Sequence, residues 1–156
     1  MRRSMLRLPM AVGTVAVLAA CGTMASRSPE EVIRERQALM KEQGAAMRSI
    51  QDKLKAGQVQ AVAVDAEKLA VTAKRMTSLF PAGSLNPQTS RAKPEIWQKW
   101  SEFEGYARAL ETKATQLAAT SRGGDAQATS AAAADLGKTT CGACHNAFRG
   151  PELKKT

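Results

Sequence analysis

The chain has almost no histidine: His145 is the one such residue in 156. Cysteine is nearly as scarce, with three, and aromatic residues make up 4%. Structural zinc takes four cysteine or histidine ligands. That chemistry is the weaker reading here, because Cys21 lies in an N-terminal targeting segment, far along the chain from Cys141 and Cys144. No apolar run reaches the roughly 20 residues that span a bilayer. No segment shows convincing strand alternation; Val59–Val64 is rich in β-branched residues but sits inside a helical period. The net charge of +9 comes without a dense basic run or a nucleic-acid motif, which removes nucleic acid from the expected partners.

What the chain does have is Cys141-Gly142-Ala143-Cys144-His145 near its C-terminus. C-x-x-C-H is the attachment signature of c-type haem. Two thiols three residues apart can each form a thioether to a porphyrin vinyl group, and the adjacent imidazole can bind the iron. A thioredoxin-like redox pair is the main competitor, but that motif opens a helix after a strand, and nothing upstream reads as a βαβ unit. A disulfide, zinc or a chance match are the remaining alternatives. The expected cofactor is one covalent haem c with its iron, on Cys141 and Cys144, with His145 as axial ligand.

The N-terminus indicates where this chemistry takes place. Arg2, Arg3 and Arg7 precede an apolar stretch from Leu8 to Ala20, the pattern of a secretory signal. Leu18-Ala19-Ala20-Cys21 resembles the bacterial lipobox, in which the cysteine becomes the lipidated first residue. The alternative is a soluble periplasmic protein cleaved elsewhere. Gly22, rather than aspartate, leans toward the outer membrane by the same resemblance. Lipid contributes about 0.8 kcal/mol per buried methylene, so several acyl chains on Cys21 would hold the domain on a membrane surface. Without residues 1–20 the net charge falls from +9 to +6, a mild basicity that suits acidic partner proteins or anionic surfaces. The expected organisation is a signal over residues 1–20, a tether over 21–28, one domain over 29–150 and a tail over 151–156.

Four helices account for that domain. Ser28 is placed to cap the first, with Pro29 at its first position and Glu30 and Glu31 at its positive end. Ile33, Met40, Met47 and Leu54 recur every seven residues on one face, and Gly57 ends the helix. A second helix is expected from about Gln58 to Phe80, stopped by Pro81-Ala82-Gly83 and followed by a loop over 81–93. A third starts at Pro94, with Ile96, Trp100, Phe103, Ala107, Leu110, Ala114 and Leu117 forming a continuous bundle seam. Gly123-Gly124 breaks it. Asp125 caps a fourth helix, expected to run unbroken through the haem motif to Arg149.

A C-terminal C-x-x-C-H on the last of four helices resembles class II cytochromes c, the cytochrome c prime family. The resemblance spans roughly residues 29–150. It rests on Arg36-Gln37-Ala38-Leu39-Met40-Lys41, Phe80-Pro81-Ala82-Gly83-Ser84, Lys93-Pro94-Glu95-Ile96-Trp97 and the block from Cys141 to Arg149. The family often has tyrosine where this chain has Phe148. The implied fold is all-α, an antiparallel four-helix bundle with haem on the C-terminal helix. The resemblance also implies export, since bacterial c-type haem is attached outside the cytoplasm.

Two chemistries occur in that family. One branch has five-coordinate iron with an apolar pocket that admits nitric oxide or carbon monoxide. In the other, a methionine on the first helix closes the sixth position and gives a low-spin electron carrier. The deciding residue lies four after the first-helix arginine, which here is Met40. Periodicity alone leaves Met40 as core filler, with Met47 as a competing ligand; the resemblance favours Met40. It also places Arg36 near a haem propionate, against a reading as a solvated helix arginine, and Arg149 beside the proximal histidine, against a cation at the helix C-terminus. Trp97 and Trp100 read as core rather than as an electron conduit. Lys138, Lys154 and Lys155 are candidates for a docking patch.

The expected function is therefore a periplasmic, lipid-anchored electron carrier serving periplasmic redox proteins, with no substrate transformed. Family members often pair through their first two helices, so a homodimer of that kind is a further expectation. A gas-binding protein is the alternative function, and a haem-free scaffold the third.

Overall fold

The computed structural model describes residues 27–153. The signal segment, Cys21, Lys154 and Lys155 lie outside the described residues. Helix α1 runs over Pro29–Lys55 and starts with more than the cap expected. The Ser28 hydroxyl accepts from the Glu31 amide at 3.2 Å, and the Ser28 amide donates to the Glu31 carboxylate at 2.7 Å, a reciprocal capping box. The Ser28 amide bonded to the Glu31 carboxylate, with the Ser28 hydroxyl beside it, holds the Glu31 carboxyl below its usual pKa. At the other end Gly57 turns the chain at φ +72°, a left-handed conformation that glycine adopts without penalty.

Helix α2 occupies Val62–Met76 and passes into one tight turn over Thr77–Leu79. It starts later than expected, because residues 58–61 form turns. Lys53 and Ser49 on α1 both donate to the Asp65 carboxylate, at 2.5 and 2.6 Å, and tie the two helices together. Burial pushes the Asp65 carboxyl up, but these bonds and the charges of Lys53 and Lys68 outweigh it and leave its pKa lowered.

The third helix is not continuous. Short α3, Glu95–Gln98, ends where Lys99 leaves helical geometry at φ −120°, ψ 47°, and α4 then runs over Trp100–Arg122. The kink follows from how Trp97 is held: its indole Nε1 donates to the carbonyls of Phe80 and Pro81 at 3.0 and 3.1 Å. That ties α3 to the preceding loop while α4 follows the bundle axis. The seam residues Ile96, Phe103, Ala107, Leu110, Ala114 and Leu117 are buried on both sides of the break, and Trp100 is half-buried.

The fourth helix is also interrupted. Helix α5, Ala126–Leu136, starts with the Asp125 carboxylate accepting from the Ala128 amide at 2.8 Å. A wide π-helical segment over Gly137–Gly142 follows, and α6 covers Ala143–Phe148. The Thr139 and Thr140 hydroxyls donate to the carbonyls of Asp135 and Leu136, which competes with regular helical bonding. Single-turn π insertions often mark functional sites; this one lies directly before and within the haem motif.

The result is an all-α, antiparallel four-helix bundle with two core regions. One is small and aliphatic, built on Ile50, Val62, Ala66, Leu69, Ala114, Leu117 and Leu136. The alanines let α2 and α4 approach closely. The other gathers Leu39, Met76, Phe80, Ile96, Phe103 and Phe148 at the end of the bundle that carries the motif. Among the described residues no helix is long and apolar enough to cross a membrane.

Candidate haem site

A cavity of about 580 Å³ opens at the aromatic end of the bundle. Helix α1 supplies Arg36, Met40, Gln43 and Met47 to its wall. Met76, Phe80, Phe103, Tyr106 and Leu110 come from α2, α4 and the loop between, and Cys141, Cys144, His145 and Phe148 from the last helix. Phe148 is buried, edge-on to Phe103 and Tyr106 with ring centroids 5.6 and 6.0 Å away. A phenyl ring at this position makes no hydroxyl contact and closes the cavity by packing alone.

Three chemical groups of the motif meet at this cavity. Cys141 and Cys144 are free and half-buried. Burial pushes the Cys144 thiol up to about 11, with the nearby Cys141 and Glu102 adding to it. Burial also raises the Cys141 thiol, against a weaker opposing hydrogen bond from Thr140. Burial pulls the His145 imidazole below its usual pKa, and the charges of Arg149 and Arg91 pull the same way. The ring is therefore neutral at pH 7, with a nitrogen lone pair available to a metal. No cluster of three or more histidine, cysteine or acidic residues suited to a bare metal ion occurs among the described residues.

The strip over 91–93 clamps the end of the last helix. The Lys93 amide donates to the Phe148 carbonyl at 3.0 Å, and the Gly150 amide to the Arg91 carbonyl at 2.7 Å. Lys93 Nζ donates to the Ala147 carbonyl at 2.8 Å. Arg149 leaves helical geometry here and pairs with Ala92 in an isolated bridge. Its side chain is exposed at the cavity edge, and its amide donates to the His145 carbonyl at 3.0 Å.

Arg36 is buried, 3% exposed. Its guanidinium donates to the Ser84 hydroxyl and carbonyl at 3.1 and 2.9 Å and to the Ser90 hydroxyl at 2.7 Å. It also lies 5.0 Å from the Phe80 ring centroid. Burial lowers its pKa. The reading of Arg36 as a solvated helix arginine is thus corrected: it pins the loop over 80–93 to α1.

The heptad stripe of α1 is corrected too. The most buried residues are Val32, Ile33, Arg36, Leu39, Gln43, Ala46 and Ile50. Met40, Met47 and Leu54 lie at the margin and are half-buried. Met40 packs against the aromatic cluster that includes Cys144. Met47 packs against the aliphatic cluster, with its Cε 3.5 Å from where a Cβ on Gly137 would sit. Gln43, Ser84 and Ser90 had no sequence signal as site residues.

The site fits a covalent haem on its own terms. Two free thiols, a neutral imidazole and mostly apolar walls surround a volume within the about 300–1,000 Å³ of cofactor clefts. Comparison with known proteins agrees. The family model for cytochrome C' matches residues 31–149. The chain belongs to the cytochrome c' family. A cytochrome c' from Allochromatium vinosum is 32% identical over 146 residues, covering 89% of this chain and 94% of that protein. The crystal structure of cytochrome c' from Thermochromatium tepidum superposes with a TM-score of 0.69 at 36% identity, covering 81% of this chain and 100% of that one. A nitric oxide complex of a variant cytochrome c prime from Alcaligenes xylosoxidans matches with a TM-score of 0.69 at 25% identity, covering 80% and 98%. The cofactor is therefore one covalent haem c with its iron. Cys141 and Cys144 would hold it by thioethers and His145 by its imidazole.

Proposed function

We propose that this cytochrome is an exported, lipid-anchored carrier of single electrons in the bacterial periplasm, with His145 and Met40 as the two axial ligands. When bound, the haem iron supplies the one-electron exchange. The observation that carries the reading is Met40: its thioether borders the same cavity as His145 but comes from α1, one turn after Arg36. Methionine sulfur is a soft ligand suited to both oxidation states of haem iron. His145 and Met40 would together hold the iron with the same two ligands in both oxidation states, which a carrier requires. Phe103, Tyr106 and Phe148 line the same cavity as His145 and would limit the water around a bound haem. No substrate is transformed. The partners are periplasmic redox proteins, drawn by the mild positive charge, and the membrane surface reached through Cys21. Pairing through α1 and α2 is supported by Val64 and Val71, which are 64% and 59% exposed one heptad apart on α2.

The test is an absorption spectrum in both oxidation states. Wild-type protein should be low-spin throughout and bind carbon monoxide poorly. Met40→Ala should become largely high-spin and bind carbon monoxide fast. Met47→Ala should keep the wild-type spectrum and lose roughly 1–2 kcal/mol of packing, since it is only half-buried. Anchoring is checked separately: Cys21→Ser should release the domain into the soluble periplasm, and mass spectrometry of the native N-terminus should find lipid on Cys21.

A second reading, capture of nitric oxide at an open sixth position, is supported by the similar structure that is a nitric oxide complex. A high-spin wild-type spectrum with ready gas binding would select it and overturn the carrier.

A further inference from the structure

Four buried polar side chains border the cavity: Arg36, Gln43, Ser90 and Thr140. In three of them each terminal polar atom has a hydrogen-bond partner in the protein. Arg36 donates to Ser84 and Ser90, Ser90 accepts from Arg36 and from the Ala92 amide, and Thr140 donates to the Leu136 carbonyl. Gln43 is the exception. It lies on α1 between Met40 and Met47, and it is 7% exposed. Its Nε2 donates to the Thr72 hydroxyl at 3.2 Å.

The direction of that bond fixes which end of the carboxamide remains. The Thr72 hydroxyl donates its single proton to the Leu69 carbonyl at 3.0 Å. Toward Gln43 it can only accept, so the amide nitrogen must face Thr72. The carbonyl oxygen, Oε1, takes no hydrogen bond among the described residues. No fully enclosed side-chain oxygen or nitrogen among those residues lacks a partner, so Oε1 is reachable, and for so buried a residue the cavity is what reaches it.

We propose that Gln43, oriented by Thr72, places a hydrogen-bond acceptor on the Met40 side of the haem cavity and so favours hydrogen-bond donors such as water over carbon monoxide or nitric oxide at the iron. The inference rests on reading the α1 wall as the sixth-ligand side. Carbon monoxide and nitric oxide carry no proton to give to Oε1, and their oxygen meets its lone pairs. Water can donate to it. With Met40 in place, the same negative dipole end favours the more positively charged, ferric state. Gln43 acts beside the ligand and Thr72 through Gln43, so Thr72 is a positioning residue.

The experiment uses holo-protein in the Met40→Ala background, with and without Gln43→Leu and Thr72→Val. The readouts are ferric water coordination by spin-state spectrum, carbon monoxide affinity, and the C–O stretching frequency of the ferrous carbonyl. Gln43→Leu should weaken water coordination roughly five-fold, the scale of one hydrogen bond. It should raise carbon monoxide affinity and lower the stretching frequency. Thr72→Val leaves the amide nitrogen without its acceptor and lets the carboxamide turn over, so it should also lower the frequency. In the Met40-containing protein Gln43→Leu should raise the reduction potential. Unchanged water coordination and an unchanged stretch across the three proteins would overturn the proposal. The spectrum of wild-type protein answers the Met40 question independently: if it is already high-spin, the carrier reading fails, and the same Gln43→Leu comparison made without Met40→Ala still decides the role of Gln43.

Discussion

His145 has three neighbours that disfavour its protonation: the protein interior, Arg149 and Arg91. The folded pKa is lowered, while the unfolded chain keeps the ordinary value near 6.5. Below that value the unfolded chain takes up the proton more readily, so protein without haem loses stability as the pH falls through about 6.5, and the loss levels off below the folded pKa. Above about 7 this contribution should be flat. Denaturant titrations of haem-free protein at pH 5 and pH 8 check it, and His145→Asn should remove this part of the slope. Lower stability at pH 8 than at pH 5 would contradict the assignment. At this scale the sequence was most legible where residue type is rare. A lone histidine directly after two spaced cysteines has few uses, and the structure brings all three to one cavity. Gln43 was illegible, because a glutamine among α1's polar residues carries no mark of which way it points. Arg36 was legible as a position but not as a partner of Ser84 and Ser90, some fifty residues away in the chain.

At the scale of elements, caps and breakers carried the reading. Ser28, Gly57 and Asp125 mark boundaries through local bonds, and local bonds are what a sequence shows directly. The two interruptions, at Lys99 and over Gly137–Gly142, were missed for a common reason. Each depends on competition with bonds that periodicity does not encode: the Trp97 indole reaching back to Phe80 and Pro81 in one, threonine hydroxyls turned onto helix carbonyls in the other. The loop over 80–93 is held from two sides, by Arg36 at Ser84 and Ser90 and by the strip at 91–93 against the end of α6. Arg36→Leu should therefore loosen the loop and the last helix together and lower stability by roughly 2–4 kcal/mol, since several charge-assisted bonds are lost at once. Arg36→Lys should recover only part of this, because an ammonium cannot bridge Ser84 and Ser90 with the same fork. Thermal denaturation of the two variants, with hydrogen exchange across 80–93 and 143–150, would check it; loss confined to α1 would contradict the coupling.

The whole molecule divides into an aliphatic end that needs nothing but itself and an aromatic end built around the cavity. Ile50, Leu69, Leu117 and Leu136 are fully buried among helices that touch directly. At the other end Met40, Phe80, Phe103, Tyr106 and Cys144 share walls of one cavity that reaches Leu110 and Cys141 at the border of the aliphatic core, and haem is the group that joins them. Apolar area withdrawn from water stabilises by about 25 cal/mol per Å², so haem contributes folding energy where it sits and little at the far end. Stability should then be uneven in protein matured without haem. Amides of α6 and of the loop over 80–93 should exchange much faster than in holo-protein, while those around Leu69 and Leu117 should keep most of their protection, as expected when one cooperative unit opens and another does not. Hydrogen exchange read by mass spectrometry on the two forms separates this from global loosening. Equal loss of protection at both ends would mean that the bundle folds as a single unit around the haem, and that the aliphatic core is not sufficient by itself.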